Sequence, residues 1–354
     1  MLPRERVLAA LAHERTDRIP FELEFTPAVH ARFKQETGSY NPAEYFQLDI
    51  RNVDLAPTQQ VRDYQQYYSE NLSGLFVDEF GIAHRPGTYY HFSKMLHPLE
   101  KIVSAAEVLE YPFPDRDADY RMAPVSDLVA AYHARDLFVS AFVGHIFETA
   151  WYMRGMENLL VDFLVNPELA EVLLDRITSL NVAVATGYAR AGVDMIRLGD
   201  DVGSQRAMLM SPDTWRYWLK PRLAQVIAAA KSIKPHIHIW YHSDGVIEPI
   251  LDDLVEVGVD VLNPVQPECM NPEEIKQRYG TRLSLWGTVG TQSIMPFGRP
   301  EEVFAYVTER IRLLGAGGGL VLAPTHVLEP DVPWENIEAF VAAARQDMDQ
   351  VIGD

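Results

Sequence analysis

Two histidines and the single cysteine of this chain each follow an apolar stretch of sequence: His242, Cys269 and His326. The stretches cover residues 236–240, 261–266 and 320–325. Imidazole and thiolate are good zinc ligands, and three protein ligands leave a position open to a substrate atom. If the stretches are neighbouring parallel strands of a barrel, these side chains converge at one mouth, which predicts a zinc site. The alternative is a hydrogen-bonding histidine at each strand end and a small buried cysteine.

Three aspartates are candidate catalytic residues. Asp244 follows His242 by two positions and is a candidate general base, metal ligand or cap for a helix beginning near residue 246. Asp201 follows a strand candidate at 195–198, where a carboxylate can hold a cation or accept a proton, although a loop cap is the alternative. Asp78 ends a further strand candidate, and an acid at the C-terminal end of a barrel strand is well placed for catalysis.

Four other side chains are candidates for binding the substrate. Asp200 precedes Asp201 in the same turn, and Glu148 lies near the start of a helical region. Glu148 is alternatively a partner of the helix dipole. Gln266 and Trp286 are candidates for lining the pocket, with a plain core position as the alternative for Trp286.

Alternating strand and helix patterns supply the elements that would position these residues. From about residue 120, apolar strand candidates alternate with helical stretches, which indicates a parallel sheet in an α/β fold. The number of units favours a (β/α)₈ TIM barrel over an open sheet, in one domain covering residues 1–354. Residues 19–23 are a short strand candidate. Residues 57–120 are less periodic, and we expect an irregular N-terminal excursion there with a hairpin through 89–92.

The composition and net charge of the chain argue against some classes of binding partner. The chain has 354 residues and a formal net charge of −19, which argues against nucleic acid and anionic membrane surfaces as partners. One cysteine excludes an intrachain disulfide framework and fits a reducing compartment. No apolar stretch reaches the roughly 18 residues that a membrane span needs. We therefore expect a cytoplasmic protein.

Several ordered motifs resemble the uroporphyrinogen decarboxylase superfamily, which also contains cobalamin-dependent methyltransferases. The resemblance covers nearly the whole chain and is strongest in its last third. The motifs are the opening Arg4–Leu11 with Asp17–Pro20, then Asp78–Gly81, Gly199–Gln205, Ser211–Pro212, His242–Gly245, Asn263–Gln266, Trp286–Gly287, Ala323–His326 and Pro333–Asn336. The resemblance implies a (β/α)₈ barrel with its pocket at the C-terminal mouth.

Two departures from the family patterns bear on activity. Decarboxylases of this superfamily carry an arginine-rich motif after the opening, whereas residues 21–27 here are acidic and contain no arginine. Asp78 would correspond to their catalytic aspartate, but without those cations a polycarboxylate is poorly held. The zinc methyltransferases have a His-x-Cys motif and a later cysteine, where this chain has His242-x-Asp244 and His326. Either the ligand set is rearranged or the metal is absent, and we expect a rearranged set of His242, Cys269 and His326 with Glu148 or Asp244 as a fourth ligand.

The resemblance thus implies a zinc- and corrinoid-dependent methyltransferase. It would transfer a methyl group to or from a cobalamin carried by a partner protein, or O-demethylate a small substrate in the same way. The resemblance also implies a homodimer. The first alternative is a metal-free carboxy-lyase acting on a small acid or a tetrapyrrole through Asp78, with His242 as the proton donor. The second is a binding protein that retains the pocket without catalysis.

Overall fold

A computed structural model describes residues 1–85 and 94–352. Its strands are β1 (Ile50–Val53), β2 (Phe76–Val77), β3 (Ala83–Arg85), β4 (Lys94–Leu96), β5 (Phe138–Gly144), β6 (Met195–Gly199), β7 (His238–His242), β8 (Val261–Asn263), β9 (Ser284–Val289) and β10 (Leu320–Pro324). Its helices are α1 (Pro3–Leu11), α2 (Pro27–Thr37), α3 (Pro42–Tyr45), α4 (Ala105–Glu110), α5 (Asp119–His133), α6 (Phe147–Arg154), α7 (Met156–Val165), α8 (Pro167–Ala191), α9 (Pro212–Trp218), α10 (Lys220–Ile233), α11 (Leu251–Val257), α12 (Pro272–Tyr279), α13 (Ile294–Phe297), α14 (Pro300–Gly315), α15 (Trp334–Ala344) and α16 (Met348–Ile352). Short 3₁₀ turns cover Gln65–Tyr67 and Glu248–Ile250.

Seven strands form one curled parallel sheet in the order β1-β5-β6-β7-β8-β9-β10. Each strand pairs with the next in chain order, as expected when helices make the crossovers between parallel neighbours. Beside β10, an isolated parallel bridge joins Phe21 to Leu322. The predicted strand at 19–23 is therefore reduced to a single bridge, while the predicted α/β fold with a parallel sheet is confirmed.

Two strand assignments differ from the expectation. β1 joins the main sheet. No strand was predicted there, because Arg51 and Asn52 interrupt its apolar pattern. The strand that precedes Asp78 is β2, which belongs to a separate antiparallel sheet of β2, β3 and β4. Asp78 does not follow a strand of the parallel sheet. The predicted hairpin tip at 89–92 lies outside the described residues.

Helix α1 closes one end of the curled sheet. Its Val7 and Leu11 share an apolar cluster with Met195, Trp240 and Trp286, which lie on the concave side of the strands. The backbone N–H of Gly319, just before β10, donates to Ala10, and the hydroxyl of Ser284, at the start of β9, donates to Leu11. Because α1 lies at the N-terminal ends of the strands, the C-terminal ends remain available for a site.

A larger apolar core packs the outer side of the sheet against the helices, including Ile196, Ile239 and Leu285. Burial on both sides explains why the strand candidates form almost continuous apolar runs. Among the helices in the described ranges, none combines the length and apolar character needed to cross a bilayer.

Candidate functional site

The candidate site lies where β6, β7 and β8 end. The strand register places Gly199 beside His242 and His242 beside Asn263, so three consecutive strands finish at one level. Asp201 follows the first of these strands and Asp244 follows the second. Parallel pairing therefore brings together side chains that are far apart in the sequence.

The orientation of His242 is fixed by its neighbours. The Asn263 amide nitrogen donates to the Trp286 carbonyl at 2.7 Å, so the Asn263 amide oxygen faces His242 and accepts from Nδ1 at 2.6 Å. The ring also stacks on Trp240 at a centroid distance of 5.7 Å. Its Nε2 is consequently turned toward two carboxylates. A histidine oriented through Nδ1 in this way is typical of a metal ligand.

Asp201 and Asp244 complete a three-residue group with His242. Their Oδ1 atoms lie 3.5 Å and 3.9 Å from Nε2, and one ligand atom from each residue falls within 4.8 Å of the others. Asp201 Oδ1 also accepts the Asp244 backbone N–H at 2.8 Å. Within the described part of the chain, the buried Asp244 Oδ1 has no hydrogen-bond partner. The capping interpretation of Asp244 is wrong, because the next helices begin only at residues 248 and 251.

The net effect of burial and neighbouring charges raises the pKa values of both His242 and Asp244. Burial lowers the pKa of His242, but the carboxylates of Asp201 and Asp244 and the bond to Asn263 outweigh it, so the pKa is raised overall. Burial raises the pKa of Asp244, although the nearby His242 opposes that change. The group therefore concentrates negative charge that a cation, either a proton or a metal ion, would neutralise.

A glycine allows the loops after β6 and β7 to meet. Gly245 has φ +78°, and a Cβ there would lie 2.5 Å from the Ser204 carbonyl oxygen. Its N–H donates to the Gln266 side chain at 2.7 Å, and the N–H of Val246 donates to Ser204. These contacts fix the position of Asp244. The space at Gly245 admits no larger residue without movement of the backbone.

A second three-residue group, formed by His145, Glu148 and Asp200, makes hydrogen bonds to the loop that carries Asp201. Glu148 accepts the Asp201 backbone N–H at 2.9 Å and the Tyr152 hydroxyl at 2.5 Å. Asp200 Oδ1 accepts backbone N–H groups of Ile146 and Glu148, both at 2.9 Å, so it holds the start of α6. Burial, followed by the charge of Glu148, raises the pKa of Asp200 well above its usual range.

Two cavities meet at this site. The inner cavity, about 390 Å³, is lined by Glu22, Glu24, Asn52, Asp54, Phe142, Arg197, Trp240, Asn263, Trp286 and residues 323–325. The outer cavity, about 800 Å³, is lined by Glu148, Tyr152, Asp201, Asp244, Gln266 and others. Both share His145, His242, His326 and Val327, so His242 stands at the junction.

An arginine lies in the wall of the inner cavity. Arg197 donates to Glu22 and, at 2.8 Å, to Glu24, and its guanidinium lies 5.1 Å and 5.4 Å from the ring centres of Trp240 and Trp286. The Trp286 indole N–H donates to the other Glu22 oxygen at 2.9 Å. Burial raises the pKa of Glu22, while Arg197 opposes that change. The arginine is therefore neutralised by protein carboxylates.

The structure does not place Cys269 with the two histidines. Its sulfur contacts the amide oxygens of Gln205 at 3.3 Å and Gln266 at 3.5 Å, and the residue lines neither cavity. Burial raises the pKa of the thiol. Neither Cys269 nor His326 belongs to a three-ligand group in residues 1–85 and 94–352, although His326 lines both cavities. The cysteine lies six residues beyond the end of β8, in a turn closed by its N–H to Gln266.

A family model described as uroporphyrinogen decarboxylase (URO-D) matches residues 2–346 of this chain. The chain belongs to the uroporphyrinogen decarboxylase family. The membership expected from the sequence motifs is thereby confirmed.

Proteins similar to this family member include both methyltransferases and decarboxylases. It is 33% identical over 176 residues to the methylcobamide:CoM methyltransferase MtaA of Methanosarcina barkeri, which covers 50% of this chain and 48% of that protein. The chain thus spans about half the length of that relative. A uroporphyrinogen decarboxylase of Pseudomonas fluorescens is 22% identical over 358 residues, covering 98% of this chain and 97% of that enzyme. A solved methyltransferase from Methanosarcina mazei has a TM-score of 0.68 at 22% identity, covering 97% and 98% of the two chains, which establishes the fold alone.

Asp78 lies apart from the site in this uroporphyrinogen decarboxylase family member. Its Oδ1 accepts the N–H groups of Phe80 and Ile82 at 2.9 Å and 3.0 Å, and its Oδ2 lies 3.2 Å from His84 Nε2. Burial raises its pKa. It lines a separate cavity of about 250 Å³ that shares no residue with the inner or outer cavity. Its contacts hold the turn between β2 and β3.

Sequence reasoning overlooked three side chains of the site. Arg197 could have been noticed as a lone charge within the apolar strand candidate at 195–198. Asn263 ends an apolar stretch just as His242 does, which was a usable signal. His145 carried no comparable signal, because only the fold shows that it lines both cavities.

Proposed function

We propose that this chain is a methyltransferase that transfers a methyl group between a small substrate and a corrinoid carried by a partner protein. The observation that carries the proposal is the group of Asp201, His242 and Asp244 at the junction of the inner and outer cavities. A junction of this kind lets a small substrate in the inner cavity face a larger group in the outer one. Similarity to the methyltransferase MtaA supports the same reaction class.

The residues present fit a divalent metal such as zinc. One imidazole nitrogen and two carboxylates match the donor types of catalytic zinc sites, and the unpartnered Asp244 Oδ1 lacks the hydrogen bond that a buried carboxylate normally makes. Asp201, His242 and Asp244 would hold the ion in place of the set with Cys269, and His326 is a further candidate because it lines both cavities. When bound, zinc supplies a Lewis acid that polarises an oxygen or sulfur of the substrate.

The chain's own groups orient the reacting molecules. Asn263 fixes the His242 tautomer, and Glu148 holds the backbone of Asp201. We assign Asp201 and Asp244 to ligation, and we assign Asp200 to holding the loop, since its Oδ1 is occupied by backbone N–H groups. Glu148 and Gln266 face the outer cavity and Trp286 faces the inner one, so these three retain their proposed contact with substrate or corrinoid.

The arrangement of strands also supports a closed (β/α)₈ barrel. The segment around Phe21 bridges to β10, and the Asn52 side chain of β1 donates to Glu22 of the same segment at 3.4 Å. We infer that this segment serves as the eighth strand between β10 and β1. Closure would surround the inner cavity with strands on all sides.

Metal binding tests the proposed ligand set. We expect Asp244→Asn to weaken zinc binding at least about tenfold, since it removes a ligand charge. Cys269→Ser is the matched control and should bind zinc as the wild type does. Zinc content after dialysis, with affinity measured by competition against a chromophoric chelator, gives the answer. Loss of zinc from Cys269→Ser with retention in Asp244→Asn would overturn this assignment.

Turnover tests the reaction class. Purified protein is incubated with methylcobalamin and small thiols, or with cob(I)alamin and small methyl ethers, and the visible spectrum of the corrinoid is followed. We expect methyl transfer by the wild type and its loss in His242→Ala.

The second candidate is a carboxy-lyase, which is favoured by the full-length similarity to uroporphyrinogen decarboxylase. Carbon dioxide release from uroporphyrinogen or a small acid, without corrinoid turnover, would select it. The variant Asp78→Asn further distinguishes decarboxylation from methyl transfer. It should abolish a decarboxylation that depends on Asp78, but it should leave a methyl transfer centred on His242 in place.

A further inference from the structure

The inner cavity carries more negative than positive charge. Its lining contains the carboxylates of Glu22, Glu24 and Asp54, the guanidinium of Arg197 and three histidines, and with neutral histidines the three carboxylates less one guanidinium give a net charge of −2. Burial raises the pKa of Glu22. With that carboxyl protonated the net charge is −1, and a proton on His242 is balanced by the adjacent carboxylates of Asp201 and Asp244. Negative charge in a concave, partly enclosed space attracts cations and repels anions more strongly than the same charge on an open surface.

The single guanidinium is not available to bind an anionic ligand. Its two terminal nitrogens are bonded to Glu22 and Glu24, and its faces lie against Trp240 and Trp286. Its side chain is only 9% exposed. A carboxylate or sulfonate that entered the cavity would therefore meet an arginine whose charge is already compensated.

Two carboxylates of the cavity remain open to a ligand. Asp54 is exposed and makes no hydrogen bond or ion pair with any other described residue, and the Glu24 side chain is 43% exposed. The walls also hold two buried N–H groups that lack partners in the described ranges, Arg197 Nε and Trp240 Nε1. Unpartnered donors in a cavity wall are costly unless a ligand atom accepts from them. A hydroxyl, ether or thiol of a bound molecule could do so.

We propose that the inner cavity binds a small molecule with a cationic nitrogen seated against Asp54 and Glu24 and its methyl-bearing or methyl-accepting oxygen or sulfur directed toward His242. The inference rests on the proposed methyl transfer and names its substrate class: amines and ammonium compounds, with carboxylates and sulfonates disfavoured. The cavity volume of about 390 Å³ suits a small metabolite.

Binding of size-matched probes tests the charge preference on the whole chain. The probes are 2-aminoethanethiol, 2-mercaptoethanol and 2-mercaptoethanesulfonate, which share a thiol and differ in the charge of the other end. Ethanolamine and 2-hydroxyethanesulfonate repeat the comparison without a thiol, so that metal–thiol contacts do not decide it. Titration calorimetry should give the cations an affinity at least about tenfold above that of the sulfonates. Equal or tighter binding of the sulfonates, or no saturable binding of either cation at millimolar concentration, would overturn the proposal.

Variants that remove one carboxylate each test whether the preference for cations arises in the inner cavity. Asp54→Asn and Glu24→Gln should each reduce the preference for cations several-fold, whereas Asp213→Asn, which removes a 93% exposed carboxylate in α9, should leave it unchanged. An unchanged preference in both cavity variants refutes the location.

The charge preference in binding can be measured whether or not the protein transfers methyl groups, so the two proposals can fail separately. Methyl transfer that is absent while the charge order holds refutes the proposed function alone. Methyl transfer that occurs with the charge order reversed refutes the substrate class alone.

Discussion

Replacement of Arg197 by methionine should destabilise the protein severely. The side chains of Arg197 and its partner Glu22 are 9% and 10% exposed, so the variant leaves a carboxylate in the interior without its cation. Removal of one partner from a buried ion pair typically costs about 3–5 kcal/mol. The two indole rings that flank the guanidinium add about 0.5–1 kcal/mol each. Methionine retains most of the apolar stem, so packing losses are small. We expect a total loss of about 4–7 kcal/mol at pH 7.

The loss should depend on pH in a defined direction. Without Arg197, burial raises the pKa of Glu22 further above its unfolded value, so the folded variant binds a proton that the unfolded chain does not. Stability then falls as pH rises above the unfolded pKa of about 4.5. The deficit of Arg197→Met relative to the wild type should therefore shrink between pH 7 and pH 5. Urea unfolding followed by far-ultraviolet circular dichroism measures it at each pH.

A double-mutant cycle identifies the cause. Combined with Glu22→Gln, the arginine variant no longer leaves a buried charge, and we expect the double variant to recover about 2 kcal/mol. The matched control is Arg312→Met, which breaks the exposed pair with Glu309 and should give no measurable change. A loss below about 1 kcal/mol in Arg197→Met, or strict additivity in the cycle, would refute the reasoning.

Three further predictions follow from the contacts around the site and beneath it. Asn263→Ala should weaken zinc binding roughly 10–100-fold, since it releases the candidate ligand imidazole; unchanged chelator competition would contradict this. Gly245→Ala should cost at least about 1–3 kcal/mol in urea unfolding, because φ is +78° and its Cβ would meet Ser204; wild-type stability would disprove the close approach. Burial raises the pKa of Asp194, but Arg4 and other hydrogen-bond donors outweigh it and lower the pKa overall. Asp194→Asn should therefore be less stable than the wild type at pH 7, with a difference that narrows as pH falls below about 4, and a constant difference would argue against it.

The parallel sheet could be predicted because its strands are apolar on both faces. The stretches before His242, Cys269 and His326 are β7, β8 and β10, each within a few residues of the expectation. β1 could not be found in the same way, since Arg51 is in the middle of its four residues. Arg51 donates to the carbonyls of Leu48 and Ile50, a local arrangement that no periodicity indicates.

The candidate site was predictable where a residue directly follows a strand. Asp201, His242 and Asp244 each lie within two residues of a strand end, so strand pairing alone brings them together. Cys269 is six residues past β8, and the path of the intervening turn, which depends on Gln266, decides where its sulfur lies. A short distance from a strand end therefore brings a residue to the cavities but does not by itself place it in the group: His326, two residues past β10, lines both cavities without belonging to it.

The ligand set proposed here contains two carboxylates and no thiolate, and this has a chemical consequence for the proposed methyl transfer. Thiolate ligands donate charge to zinc and suit a soft metal, whereas the oxygen donors of Asp201 and Asp244 suit harder ions and leave a bound cation more electrophilic. A more electrophilic centre is better suited to polarising an ether or hydroxyl oxygen than to holding a soft thiol. The acidic inner cavity favours a positive charge at the end of the small substrate that lies away from His242. Taken together, the two features favour an amine-bearing methyl ether or alcohol over an anionic thiol as the small substrate.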